Sequence, residues 1–221
     1  MDSGTWTDHG SIGLPTSTDY NLIDPNLLIV NYGEAYYMSF GSFWDDIYQI
    51  EMADPLTIKQ GATPYQINYN STGIHNTEGS YQFWWPTNGV KYYYLFTSAG
   101  ACCNSANNLP NPGDEYKIMV CRSTSPNRGF VDKNGIDCLA GNGGTLLLGS
   151  HDNVYAPGGQ GVMYDDTLGL VLYYHYGKLR WFSASTSLTV AVDPRIGYAE
   201  KDFQFGWNYL AFDDAGWPIL I

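Results

Sequence analysis

The chain has 221 residues, and its 22 acidic side chains against 10 Lys and Arg give a formal charge of -12, which repels the polyanionic backbone any nucleic acid would present. No apolar run reaches the roughly 18 to 20 residues of a membrane-crossing helix, and the opening MDSGTWTDHG has neither the basic region nor the apolar core of a signal peptide. With 19 Tyr, 7 Trp, 9 Phe, 25 Gly and 11 Pro, the composition favours strands joined by tight turns, an all-β chain whose length suits one domain over residues 1–221.

In chain order, the first predicted unit is DPNLLIVNYGEAYYMSFGS, from Asp24 to Ser42, continued by DIYQIEM. The sequon Asn70-Ser71-Thr72 follows and, with the low Lys content, leans towards an extracellular protein. A second unit, EGSYQFWWPTNGVKYYYLFTS, begins at Glu78 and resumes as YKIMVCRS after a Cys-, Asn-, Pro- and Gly-rich loop from Thr97 to Tyr116. Residues Gly129 to Ser150 read as turns around one strand near Thr145 to Leu148. A third unit, PGGQGVMYDDTLGLVLYYHY, begins at Pro157. Turns at Tyr32-Gly33, Asn88-Gly89 and Leu168-Gly169 fall at corresponding places in the three units. Small antiparallel sheets of this kind cannot bury both faces alone; stacked radially they make a β-propeller, with a β-sandwich as the alternative.

Cys102, Cys103, Cys121 and Cys138 lack the CxxC pairing of a zinc site. The adjacent Cys102-Cys103 reads equally as a vicinal disulfide or as two thiols, and whether Cys121 pairs with Cys138 stays open. Aligning the repeats places Asp24, Glu78 and the pair Gly158-Gly159 at equivalent openings. Two carboxylates facing one axial cavity suit glycosidic cleavage, which needs one group to protonate the leaving oxygen and another to govern attack. Phe43, Trp44, Phe83, Trp84 and Trp85 lie beside these acids, and aromatic faces pack well on the C–H faces of sugars, although strand alternation buries some of them.

The strings YNLIDPNLL, YYMSFGSFWDDIYQIEM, NTEGSYQFWW, YYYLFTSAGACC, YKIMVCRS, GGTLLLGS, YAPGGQGV, LYYHY, IGYA, FGWNYLAFD and GWPIL, spread from about Trp6 to Pro218, make the chain resemble the fungal endo-1,5-α-L-arabinanases of glycoside hydrolase family 43. That resemblance implies a five-bladed β-propeller, here incomplete at about four blades, which hydrolyses internal α-1,5 bonds of arabinan with inversion. It places the general acid on Glu78 and the residue that orients it and tunes its pKa on Asp24, with Asp24 ionised among donors and Glu78 holding a proton. Ser42, Phe43, Trp44, His75 and Trp84 are the expected substrate-binding residues, and Gly41 would let backbone approach the sugar. The chemistry calls for no cofactor; calcium or another ion on the propeller axis is the one metal expectation, with no side-chain ligand assignable because Gly159-Gln160 stands where many relatives carry a histidine. Expected partners are plant cell-wall arabinan and arabino-oligosaccharides, with the complete product secreted and monomeric.

Two departures accompany the resemblance. The family's catalytic base is an Asp of the first blade, upstream of these strings, and Asp2, Asp8 and Asp19 do not match it; an imperfect gene model or a fragment, inactive as written, is therefore expected. The segment GKLRWFSASTSLTVA, from Gly177 to Ala191, separates LYYHY from VDPRIGYA and reads as a translated intron or a surface loop. A catalytically silent carbohydrate-binding propeller and an exo-acting arabinofuranosidase or xylosidase are the competing functions.

Overall fold

The computed structural model describes residues 4–31, 34–102, 109–184, 187–192 and 202–221. Among them there is no α-helix, so none is long and apolar enough to cross a membrane. Antiparallel strands build three sheets. The first holds β1 (Asn26–Asn31), β2 (Ala35–Phe40), β3 (Ile47–Asp54) and β4 (Thr57–Ile58) in that order, with β5 (Tyr65–Asn68) also on β3. The second runs β6 (Thr77–Thr87), β7 (Val90–Ala99), β8 (Lys117–Ser123) and β9 (Thr145–Leu148). The third runs β10 (Val154–Asp165), β11 (Gly169–Ala184), β13 (Gln204–Phe212) and β14 (Pro218–Leu220), with β12 (Ser187–Val192) on the far end of β11.

Each sheet is an up-and-down meander in which neighbours in sequence mostly pair, as in a propeller blade. Asn88 and Gly89 both take positive φ, 51° and 77°, between the paired Thr87 and Val90; this is the turn whose twist matches its flanking strands. At the third unit's turn the Asp165 carboxylate accepts from the Thr167 and Leu168 amides, and the Tyr32-Gly33 turn lies outside the described residues. Against about four expected blades, the described residues make three sheets. Residues 4 to 25 contribute no strand; Ile12, Leu14 and Tyr20 instead cover one face of the first sheet, against Met38, Phe40, Ile50 and Met52.

Packing shows how the sheets stack. Successive residues of a strand point to opposite faces. On β7, Tyr94 and Phe96 face the third sheet and pack with Leu172, Tyr174, Leu210 and Trp217, while Tyr93 and Leu95 face the first, with Leu28, Val30, Ile47 and Ile67. The middle sheet is buried on both sides, which is why β7 reads YYYLFTSA with no polar alternation. Polar bridges register the stack: the Gln49 side-chain amide donates to Gln82 Oε1 at 2.6 Å, the Gln82 backbone N–H to Asn26 Oδ1 at 2.8 Å, and the Tyr81 hydroxyl to Val162 O at 2.8 Å.

Cys121 and Cys138 form a disulfide that ties β8 to the loop before β9. Cys102 is half-buried; Cys103, and with it the vicinal pair, lies outside the described residues. The Asn70 sequon is not a surface acceptor. Asn70 is 7% exposed and its side-chain oxygen accepts from the backbone and hydroxyl of Thr72, so it adds nothing to the extracellular reading. The segment from Gly177 carries β11 on into a hairpin, with Leu179 opposite Val192 and Ala184 opposite Ser187; VDPRIGYA beyond it lies outside the described residues.

Candidate active site

The three unit openings meet at one cleft of about 680 Å³, lined by Asp24, Ser42, Phe43, Glu78, Tyr116 and Gln160 among others. Glu78 is the second residue of β6. The pairing of β6 with β7 slips between Glu78–Ser98 and Tyr81–Phe96, a bulge that re-aims side chains at the end of a strand. Both Glu78 oxygens are engaged: Ser42 Oγ donates to Oε2 and the Tyr116 hydroxyl donates to Oε1, each at 2.7 Å. A hydroxyl donates or accepts, so this pair of partners suits the carboxylate and, with one bond reversed, the protonated acid.

Asp24 comes from the first sheet, just before β1. It sits at φ 54°, a left-handed conformation that a residue before proline rarely adopts, and the Gly79 amide donates to its Oδ2 at 3.1 Å. Burial raises the Asp24 pKa; the Gly79 hydrogen bond opposes this and the charge of Glu78 adds to it. The crowd of donors expected around an ionised Asp24 is thus one backbone N–H on the described contacts, and its carboxyl is pushed towards the neutral form.

The third opening buttresses rather than titrates. The Gly159 amide donates to Ser98 Oγ at 2.9 Å, Ser98 donates to Gln160 Oε1 at 2.6 Å, and the Gln160 amide donates to Gly79 O at 2.7 Å. A Cβ on Gly158 would lie 2.1 Å from the Tyr116 ring, so glycine there is what lets that ring lie against the strand. His175 approaches the same opening: a Cβ on Gly159 would meet its Nδ1 at 3.4 Å. Among the described residues no group of three or more His, Cys, Asp or Glu gathers to hold a metal ion. The polar groups of Gly159, Ser98 and Gln160 are committed to one another and to Gly79, which makes them a poor fit to an ion.

Ser42 and Phe43 line the cleft with the two acids; Trp44, next in the chain, is 52% exposed and is not among the lining residues. Phe43 and Trp44 adopt φ 54° and 51°, and Gly41 has φ 108° with the backbone oxygen of Asp46 2.4 Å from where a Cβ would be; the turn that presents them is a strained one. Two expected residues are elsewhere. His75 lines a neighbouring cavity of about 280 Å³, where its Nε2 and the Tyr69 hydroxyl are 3.1 Å apart. Trp84 is turned into the seam between the first and second sheets: its indole N–H donates to Ile29 O at 3.2 Å and the Lys91 ammonium lies 3.9 Å over its ring. Tyr116 and Gln160 were not foreseen. Tyr116 opens the string YKIMVCRS at a loop end, and only its fold partner, 38 residues away, marks it.

Known proteins bear on this site. The profile of "Glycosyl hydrolases family 43" matches residues 1–191. The chain is 51% identical over 222 aligned residues to arabinan endo-1,5-alpha-L-arabinosidase A of Aspergillus aculeatus and 47% identical to that of Aspergillus niger, in each case over the whole of this chain and 62% of the relative. It therefore spans 62% of the length of these curated relatives. Among solved structures, an exo-1,5-alpha-L-arabinanase from a bovine ruminal metagenomic library superposes with a TM-score of 0.72 at 27% identity, covering 98% of this chain and 62% of that one. The native Bacillus subtilis arabinanase gives 0.67 at 26%, with the same coverage. The radial stack of meanders and the carboxylates at its axial openings are thus accounted for together: the chain belongs to glycosyl hydrolases family 43.

Proposed function

We propose that the protein acts on arabinan, cleaving internal α-1,5-arabinofuranosidic bonds with inversion, with Glu78 as general acid and Asp24 as the residue that orients and tunes it. The observation that carries this reading is the placement of Glu78 in the cleft, bonded through both oxygens to hydroxyls that tolerate either protonation state. Glu78 gives its proton to the leaving oxygen as the glycosidic bond breaks, and water attacks the anomeric carbon from the opposite face. Asp24 reaches Glu78 through the Gly79 amide, the next residue along β6, and its own charge is destabilised by burial. Phe43 supplies an apolar surface in the cleft, and the exposed Trp44 follows it in the chain. The Cys121–Cys138 disulfide suits an oxidising, extracellular setting.

Inversion needs a base about 6.5 to 9.5 Å from the acid, and the carboxylates lining the cleft among the described residues are Asp24 and Glu78. That observation favours a second reading, an arabinan-binding protein without hydrolysis. Linear arabinan incubated with the purified chain separates the two. Short arabino-oligosaccharides, lost on Glu78→Gln, support the endo-hydrolase; saturable binding with no new reducing ends supports the silent binder; arabinose alone would point to exo action. Asp24→Asn should alter the acidic limb of the pH–rate profile, because it removes a charge that acts on the acid.

A further inference from the structure

Asp46 lies outside the cleft and takes no part in the chemistry above, yet it is the most unusual carboxylate in the described structure. It is fully buried, at 0% exposure, and has a positive φ of 62°. Its Oδ2 accepts the Asn70 amide at 2.6 Å, and the Thr77 amide also stabilises its charge. Thr77 immediately precedes Glu78 at the start of β6. Asp46 also closes the turn that carries Ser42: its own amide donates to Phe43 O at 2.6 Å, the Phe43 amide donates to Thr77 O at 2.9 Å, and Gly41 has no Cβ where the Asp46 carbonyl passes. The Asp46 side chain therefore joins the 41–46 turn to Asn70, and the Phe43 amide joins the same turn to the residue next to Glu78.

We propose that Asp46 is a positioning residue: its buried carboxyl clips the 41–46 turn to Asn70 in the segment leading into β6 and so holds the Ser42 hydroxyl on Glu78. The alternative, a carboxylate that merely caps loops, leaves two facts without a purpose. A carboxyl is buried where its Oδ1 has no protein partner among the described residues, and the backbone of Phe43, Trp44 and Asp46 is held in an unfavourable conformation. Both follow if the turn must present Ser42 at 2.7 Å from Glu78. The clip is also sensitive to protons. Burial pushes the Asp46 carboxyl up to about 7, with Asp45 on its own turn adding to the rise; Asn70 in the β5–β6 connection and Thr77 at the start of β6 are neutral backbone donors that oppose it. This proposal rests on Glu78 being the acid, and its test is chosen to stand apart from that reading.

The test is an amide proton titration of the wild-type chain by NMR from pH 5 to 9. The Asn70 and Thr77 amides should shift with one midpoint near 7, and the Ser42 amide should follow the same midpoint; in Asp46→Asn the shared midpoint should vanish from all three. Asn70 and Thr77 amides that do not titrate, or a Ser42 amide indifferent to their midpoint, would overturn the proposal whether or not the chain cleaves arabinan. Should Asp46→Asn fail to fold, the wild-type titration decides alone. On linear arabinan, Asp46→Asn and Ser42→Ala should each lower kcat by about tenfold with KM within about twofold, the double variant being no worse than either. Losses that multiply would separate Asp46 from Ser42 and reject the clip. If Glu78→Gln cleaves as well as wild type, the acid assignment fails, and the titration still rules on the clip.

Discussion

Glu78 is held by two hydroxyls from two different sheet connections, and each can be removed without disturbing a fold element. Desolvation raises the pKa of the Tyr116 hydroxyl well above that of a free phenol, so it stays a neutral donor throughout the working range. Hydrogen bonds to charged groups contribute about 1.5 to 3 kcal/mol. Tyr116→Phe should therefore lower kcat/KM on arabinan by roughly ten- to a hundredfold while far-UV circular dichroism stays unchanged. Asp46 offers a stability prediction with a definite sign. Its folded pKa, about 7, lies above the ordinary 3.8, so its contribution to stability is fully present below about pH 4 and lost as pH rises through about 7. The urea midpoint of Asp46→Asn should match wild type near pH 4 and exceed it increasingly up to pH 8. Sequence reasoning could reach Glu78 and Asp24 because they stand at equivalent repeat openings and in matched strings. It passed over Asp46 because the second Asp of a Trp-Asp-Asp turn reads as solvated charge, and only the neighbouring loop at Asn70 and Thr77 reveals its burial.

At the level of strands, the decisive feature is the close approach at the opening of β10. Gly158 has no side chain because the Tyr116 ring occupies the space. Gly158→Ala should push that ring aside and take its hydroxyl from Glu78, reproducing the Tyr116→Phe loss; the two changes together should cost no more than one, which steady-state kinetics would check. The Asn-Gly turn between β6 and β7 was plain in the sequence, since two consecutive positive φ values demand that pair. The orientation of Trp84 was not. An aromatic run such as FWW fixes no parity by itself, and the bulge after Glu78 resets which residues face the seam and which face the axis. His75 illustrates the same limit, a loop residue whose destination depends on its bond to Tyr69 rather than on its distance along the chain from Glu78.

Across the whole molecule, the repeat made a radial stack of sheets legible, because units with an apolar face on each side have to be sandwiched between neighbours. The sequence could not show how far β11 extends: its alternation continues without a stop past LYYHY, and the backbone runs on to Ala184 before turning back along β12. Deleting residues 177–191 should leave the Tyr174–Leu172–Leu210 core and the melting temperature within a few degrees of wild type if this hairpin is a surface elaboration; collapse of the fold would show it to be integral. The polar links of the cleft have one more property in common. Ser42 to Glu78 and Gly79 to Asp24 join the second sheet to the first, and Gln160 to Gly79 joins it to the third. The site thus works as a strain gauge between blades. Contacts that span separate cooperative units are lost when the units shift, before any unit melts, and a misplacement of about 1 Å is enough to cost a site its chemistry. On slow heating, oligosaccharide binding should disappear several degrees below the loss of the β-sheet circular dichroism signal, and coincident transitions would mean that the three sheets melt as one body.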